Sequence, residues 1–596
     1  MRLATRAFRK RLLRQRRRTD VTSLSHIEAS RQASSTIFLF MRRMRAPLIT
    51  LIGILFISVL GLSLIPGVDP EGDRAFISLF QAFYFMSYTA ATIGFGELPW
   101  PFSSAQRLWV TFSIYLSVIG WAYALGSLLT LIQDKSFRQA LAMQHFTRKV
   151  ARMRTPFLLL AGYGRAGELL TNDFDALGQQ VVVIDTSEDR IEALDLGSFR
   201  ADVPGLVGDA ANPYYLRAAG LDHPCCSGVL ALTGDDETNL AVTMAAALTR
   251  PDVPVISRTI SKATAERMEA FDSVTVVNPF DRFGDHLRLA LNAPSSYRLL
   301  VWLEAGPGAE VPELVQPPID GHWVVCGYGR FGREVTADLR EAGLEVVVVD
   351  AAEEADPGPG VVIGDASDPA VLALARPLTA VALVAATDND TYNLSILATA
   401  RRLNPKMFLS ARQNRQTSAA LFEAIEVDSL MVPNEVIAHE VYAQISTPLL
   451  WRFIQEMPAR GDGCAADLVE RLMGNCGDRL PALWRINLRR SEAYALMRLL
   501  DEGAVTLGDL LRSPEDRDRQ LEVVPMMLLR GDEAVLAPAA STVLARGDQL
   551  LFAGHAVERR ELQSTLQDHS VAAYVVLDQR LPSSWVWRKL SRRVND

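Results

Sequence analysis

Three features of the 596-residue sequence predict a membrane α-helical part, then two doubly wound α/β domains, then a small α+β C-terminal lobe. Residues 47–66 and 108–132 are two runs without a charged side chain, and they bracket a shorter apolar stretch ending in Thr-Ile-Gly-Phe-Gly. A strand, a glycine-rich turn and a second strand ending in aspartate occur near residue 157 and again near residue 323. Short strands separated by turn residues fill residues 484–554.

Composition sets the outer limits. The chain is 49% hydrophobic and 22% charged, which suits mostly globular material with a modest membrane portion. Net charge is −8, yet residues 1–18 are dense in arginine and hold no acid. The acidic excess therefore lies in the body of the chain, and nucleic acid is not an expected partner. Five cysteines, with Cys225 and Cys226 adjacent and Cys326, Cys464 and Cys476 scattered, make neither a disulfide framework nor a metal-ligand spacing. They read as free thiols in a reducing compartment.

Each uncharged run is long enough to cross a hydrocarbon core of about 30 Å as a helix. Arg42, Arg43 and Arg45 precede the first, and Lys135, Arg138, Arg148 and Lys149 follow the second. Basic flanks on both sides predict a cytoplasmic N-terminus (residues 1–46), a hairpin projecting outward and a cytoplasmic remainder. Neither run carries the regular arginines of a voltage sensor. Gly120, midway along the second, reads either as a hinge or as ordinary close packing of a small residue.

Between the runs, residues 76–91 (FISLFQAFYFMSYTAA) are apolar and aromatic but too short to span, and read as a re-entrant helix. Thr92-Ile93-Gly94-Phe95-Gly96 follows directly. Glycines at alternate positions allow the backbone to turn successive carbonyl oxygens toward one axis, where a ring of them can replace a cation's hydration shell. This segment resembles the potassium-channel signature in its T-x-G-F-G form. The resemblance implies a pore domain over 47–132, with a selectivity filter at residues 92–96 and K⁺ held at Thr92, Ile93, Gly94 and Phe95. One filter strand cannot encircle an ion, so it also implies a homotetramer in the lipid bilayer. Phe95 stands where the family has tyrosine, and Glu97 where it commonly has aspartate, so a weakly selective cation pore is a variant of this reading.

Residues 133–155 read as a linker helix. Beyond it, Phe157–Ala161 forms an apolar strand running into Gly162-Tyr163-Gly164-Arg165-Ala166-Gly167, and the next strand ends in Asp185. This is a dinucleotide-binding fingerprint, in which glycines admit a pyrophosphate and the carboxylate meets ribose hydroxyls. The pattern returns in Gly327-Tyr328-Gly329-Arg330-Phe331-Gly332 and Asp350. Gly208-Asp209-Ala210 recurs as Gly364-Asp365-Ala366, and the Thr233–Asn239 loop recurs from Thr387 to Asn393. Motifs kept in order at such long offsets mark a tandem domain duplication.

These repeats resemble RCK (regulator of K⁺ conductance) domains, which share a Rossmann-like nucleotide-binding lobe with Trk-type potassium-uptake regulators. The resemblance covers 156–290 and 320–445, joined by a connector at 291–319. A helical crossover at 446–483 and an RCK C-lobe at 484–554 follow, and residues 555–596 form a tail of unassigned role. It implies cofactor binding through Gly162, Gly164, Arg165, Gly167, Asp185, Asp209 and Thr233, and through Gly327, Gly329, Arg330, Gly332, Asp350, Asp365 and Thr387. The aspartates suit a free ribose, so NAD(H), ADP or ATP is expected rather than NADP. Arg165 and Arg330 either meet phosphate or pair with surface acids. Acids at 235–237, 388 and 390 either bind a divalent cation or cap helices; capping is the simpler reading.

The expectation that follows is a ligand-gated potassium channel, multi-pass in the plasma (inner) membrane, with no catalytic residue. A non-conducting nucleotide-binding subunit of a potassium transporter leaves the Thr-Ile-Gly-Phe-Gly element unexplained. A membrane-anchored oxidoreductase would need a positioned acid/base pair, which the sequence does not offer.

Overall fold

In the computed structural model of the protein, residues 44–68, 71–351, 360–502 and 505–580 are described. The basic segment before residue 44 and the last residues, 581–596, lie outside them. The chain divides into two compact units at Arg152/Met153.

The first unit is helical. Helices α1 (Met44–Leu64) and α3 (Ser104–Gln133) are long and apolar enough to cross a membrane. Only 17% of the apolar window of each is buried, which separates them from the core helix of a globular domain. Ile52, Phe56, Leu108 and Tyr115 are more than half exposed. Between them α2 (Leu79–Ala90) starts at a capping box, Ser78 with Gln81, and α3 starts at another, Ser103 with Gln106. The re-entrant helix is thus shorter than the 76–91 expected, because Ser78 takes the orphan amide of Gln81 and fixes the first turn there. Ile77, Phe85 and Met86 bury against Leu62, Phe102 and Val110. Helix α4 (Lys135–Ala151) continues the chain beyond an Asp134 cap.

Among its described residues, the second unit holds two six-stranded parallel sheets and one four-stranded antiparallel sheet. Strands β1 (Gly67–Val68) and β2 (Arg74–Ala75) form a small hairpin in the first unit. In the first lobe β3 (Phe157–Ala161), β4 (Gln180–Asp185), β5 (Gly205–Val207), β6 (Cys226–Ala231), β7 (Val255–Arg258) and β8 (Val274–Val277) lie in the order β5-β4-β3-β6-β7-β8. The second lobe repeats it with β9 (His322–Cys326), β10 (Glu345–Asp350), β11 (Val361–Ile363), β12 (Ala380–Ala385), β13 (Phe408–Arg412) and β14 (Ser429–Met431), ordered β11-β10-β9-β12-β13-β14. This is the doubly wound order, with its switch point between the first and fourth strands. Both central strands are buried along their whole length, as continuous apolar runs in parallel sheets should be.

The lobes exchange their last helices. Helix α6 (Pro279–Asn292) follows the first sheet, yet Phe280, Phe283 and Leu287 pack in the second lobe's core with Phe331, Val335 and Leu339 of α7 (Arg330–Glu341). Helix α8 (Pro433–Ser446) follows the second sheet, yet Ile437, Ala438 and Val441 pack with Leu170 and Phe174 of α5 (Arg165–Ala176) in the first lobe's core. Where the exchanged helices meet, Arg282 donates through Nε and Nη2 to both Glu440 oxygens, at 2.9 and 2.7 Å. Glu440 is 3% exposed.

Beside that pair lie Glu304 and His286, 3.6 Å apart and largely buried. Burial, reinforced by the Glu440 charge, pushes the Glu304 carboxyl up to about 8, while burial and the Arg282 charge push His286 down to about 4. A carboxyl raised from the ordinary 4.5 contributes stability that is full at low pH and lost as pH rises through 8. His286 works oppositely, losing stability as pH falls from 6.5 through 4. Of these two groups, Glu304 is the one that acts from pH 6.5 to 8, for about 2 kcal/mol. Thermal melts of the full chain should fall across that window, and Glu304→Gln should flatten the fall. An unchanged slope in that variant would place the titration elsewhere.

The C-terminal sheet joins β15 (Ala482–Asn487), β16 (Val523–Arg530), β17 (Glu533–Leu536) and β18 (Gln549–Gly554) in the order β15-β18-β16-β17. Its core takes Leu299, Trp302 and Leu303 from the connector, so that connector is part of the lobe's packing. A second core, on the sheet's other face, takes Ala493 and Leu496 just before the helix that begins at Met497. Residues 556–577 of the tail form two helices, Ala556–Gln567 and His569–Leu577, and Leu562 and Leu566 join that core.

Candidate functional site

The first candidate site begins where α2 ends. The Ala91 amide donates to Ser87, Thr92 to Thr89 and Ile93 to Tyr88, closing the helix onto the segment that follows. Thr92, Gly94 and Gly96 then take φ of 60°, 66° and 97°, while Ile93 and Phe95 do not have positive φ. Alternating handedness lets successive carbonyl oxygens face one side, where an extended strand would point them alternately. A threonine held at positive φ costs energy that glycine avoids, of order 1–3 kcal/mol.

Two supports hold this loop. The Tyr88 hydroxyl donates to the Gly96 carbonyl at 2.5 Å, and the Tyr88 and Phe95 rings meet edge to face at 5.3 Å. Glu97 accepts Arg107 Nε and Nη2 at 2.8 and 3.0 Å and the Phe102 amide at 2.8 Å, tying the segment after the loop to α3. Sequence reasoning missed Tyr88 and Arg107, since nothing in their spacing points at the loop. Gly120 sits where α3 meets α1: a Cβ there would fall 2.6 Å from Ile54 Cδ1, so the two helices pack closely at this residue.

The second candidate site is a cavity of about 480 Å³ at the carboxyl ends of β3, β4 and β6 in the first lobe. It is lined by Gly162, Gly164, Arg165, Asp185, Asp209 and Thr233 of the predicted set, and by Arg190, Arg258 and Asn434 besides. Gly167 lies just behind, and a Cβ there would meet the Gly162 carbonyl oxygen at 2.3 Å, so only glycine lets the helix start this close to its own turn. Asp185 accepts the Tyr163 and Ser187 amides at 2.7 and 2.8 Å and pairs with Arg190 at 3.3 Å. Its carboxylate therefore pins the glycine turn as well as bordering the cavity. Thr233 and Asn239 bond at 2.8 Å, and Asn239 Nδ2 donates to the carbonyls of Thr233 and Arg258, stapling the two loops that flank the cleft.

The charges there are mixed. Arg165 pairs with Glu168 at 3.1 Å, but its Nε is buried without a partner. Arg258 makes no side-chain hydrogen bond or ion pair among the described residues, and burial lowers its pKa. The Thr238 hydroxyl and amide hold Asp235 below the usual carboxylate range, as a helix cap. Asp390 accepts the Asn414 and Arg415 amides, and among the described residues no group of three or more His, Cys, Asp or Glu is arranged to hold a metal ion.

The second lobe repeats the staple, with Thr387 and Asn393 bonded at 2.6 Å and Asn393 donating to the Arg412 carbonyl. Asp350 accepts the Tyr328 amide, and a Cβ on Gly332 would strike the Gly327 carbonyl as its counterpart would. Asp365 is held low by the Ser367 hydroxyl and amide. Gly329 has open space around it, and Arg330 begins α7. Arg258 and Arg412 were within reach of the sequence, since each closes the fifth strand of its repeat.

The TrkA-N domain model matches residues 158–279 and 323–433. Potassium channel protein 1 of Methanocaldococcus jannaschii is 23% identical over 215 residues, 36% of this chain and 62% of that one. The voltage-gated potassium channel Kch of Escherichia coli is 29% identical over 231 residues, 38% of this chain and 50% of that one. An uncharacterized protein of Methanothermus fervidus is 26% identical over 225 residues, 38% of this chain and 34% of that one. The chain thus spans between 34% and 62% of the length of these relatives. A solved structure of the GsuK channel bound to NAD aligns over 90% of this chain and 100% of that one, at TM-score 0.41 and 15% identity.

Proposed function

We propose that this chain, which carries two TrkA-N domains behind two apolar helices, is the subunit of a homotetrameric potassium-selective channel. The loop at residues 92–96 is its filter: four copies around one axis strip K⁺ of water with main-chain oxygens from Thr92 to Phe95. The observation that carries the reading is the alternation of positive φ at 92, 94 and 96 directly after a short capped helix. The chain enters the plasma membrane from the cytoplasmic side and returns to it, leaving the lobes in the cytoplasm where nucleotide is available. Relatives named as potassium channels support this assignment.

Gating is the task of the lobes. A nucleotide that binds open and closed forms with different affinity shifts the pore by that difference and no more. Helix α4 links the lobes to α3 along the chain and is the route for the shift. The reading assigns no catalytic residue.

Purified chain in liposomes should pass K⁺ well above Na⁺, and ADP or NAD⁺ in the cytoplasm-facing solution should change the flux. Equal passage of K⁺ and Na⁺ would leave a cation channel of weak selectivity. No flux under any nucleotide, with nucleotide still bound, would replace the channel by a regulatory subunit.

A further inference from the structure

We propose that the two glycine-turn clefts are not equivalent. The first lobe takes one nucleotide containing an adenosine diphosphate group, and the second is closed by its own aromatic side chains. This deepens the nucleotide reading above and rests on it.

The strand registers fix which residues correspond. Arg258 lies beside Val277 across β7 and β8, and Arg412 beside Met431 across β13 and β14. Counting on from those pairs, Pro279 matches Pro433 and Phe280 matches Asn434. Within the glycine turns Ala166 matches Phe331.

In the first cleft Ala166, Arg258 and Asn434 all face the cavity. Arg258 feels the Asp236 charge but makes no side-chain hydrogen bond or ion pair among the described residues, and the Arg165 Nε on the same cavity lining is buried without a hydrogen-bond partner. One guanidinium at the start of a helix and one at the end of β7, with room above a glycine turn, are what a diphosphate requires. In the second cleft the matching positions are filled. Phe331 is 1% exposed and Phe280 5%, with ring centroids 5.5 Å apart. Phe283 adds a third ring 5.2 Å from Phe331. The Arg412 guanidinium lies over Phe280 at 5.0 Å and Phe331 at 5.9 Å, its Nε buried and without a hydrogen-bond partner. Its charge is spent on ring faces. A phosphate could reach it only by unseating two side chains of the core.

Asn434 gives the first cleft its regulatory reach. It begins α8, the helix contributed by the second repeat, so an occupant of the first lobe touches both repeats at once.

Equilibrium binding of ADP, and separately of NAD⁺, to the purified full chain tests this. One equivalent per chain is expected. Asp185→Ala should weaken it at least tenfold, while Asp350→Ala should leave stoichiometry and affinity unchanged. The double variant Phe280→Asn with Phe331→Ala should bind a second equivalent. Two equivalents in the unaltered chain, none at all, or a loss that follows Asp350 rather than Asp185 would overturn the proposal. A double variant that folds and still binds one equivalent would overturn the aromatic closure. Potassium flux recorded on the same preparation separates these failures from failure of the channel reading.

Discussion

Alanine at Gly94 is expected to abolish potassium flux. Gly94 holds φ at 66°, and nothing in its own chain lies within 4 Å of a Cβ placed there. The cost is therefore in the backbone, about 1 kcal/mol for an L-residue in the left-handed region. In the proposed tetramer four such costs fall on one ring, about 4 kcal/mol. That is roughly a thousandfold loss of the conducting backbone, since each 1.4 kcal/mol is tenfold. The alanine chain would turn those residues to negative φ and carry their carbonyl oxygens off the axis. Tyr88→Phe should act more gently, keeping the ring packing against Phe95 and Phe85 while removing the hydroxyl from Gly96. Flux should persist with a several-fold lower preference for K⁺ over Na⁺. Paired liposome measurements in the two salts decide both. A Gly94→Ala chain that conducts normally would remove residues 92–96 from the pathway.

The second large effect is on stability. Glu440→Ala leaves the Arg282 guanidinium partly buried, with the more distant Asp285, at 3.9 Å, as its remaining ion-pair partner among the described residues. Losing one partner of such a pair costs about 3 kcal/mol or more. Removing both charges in Arg282→Met with Glu440→Leu should cost much less, because the desolvation penalty disappears with the attraction. Denaturant unfolding of the full chain in detergent should separate single from double variant. Equal losses, or none, would show that the exchanged helices are held by their apolar contacts alone. Trp451, whose ring lies 4.9 Å from Arg282, is the natural fluorescent reporter.

Much of this was legible from residue order. Length without charge located both long helices, and alternate glycines after an aromatic run pointed at the loop. The strand–glycine–strand–aspartate pattern located both parallel sheets. What escaped was whatever depends on contacts distant in sequence. Helix exchange leaves no local mark, because α6 and α8 have the same amphipathic character whichever lobe they cover. Arg190 and Asn434 are ordinary polar residues until folding brings them to one cavity. The change from Ala166 to Phe331 is plain in the letters, but its meaning needed Phe280 and Arg412 beside it. Residues 556–577 lacked a motif, although Leu562 and Leu566 lie on one helical face and bury.

The covalent joining of the two lobes has a consequence for inheritance. Two identical subunits must accept every substitution twice, once on each side of their shared axis. A duplicated gene segment is released from that rule: one half can trade alanine for phenylalanine while the other retains its hollow. The interlocked helices then keep both halves together while their sequences drift apart.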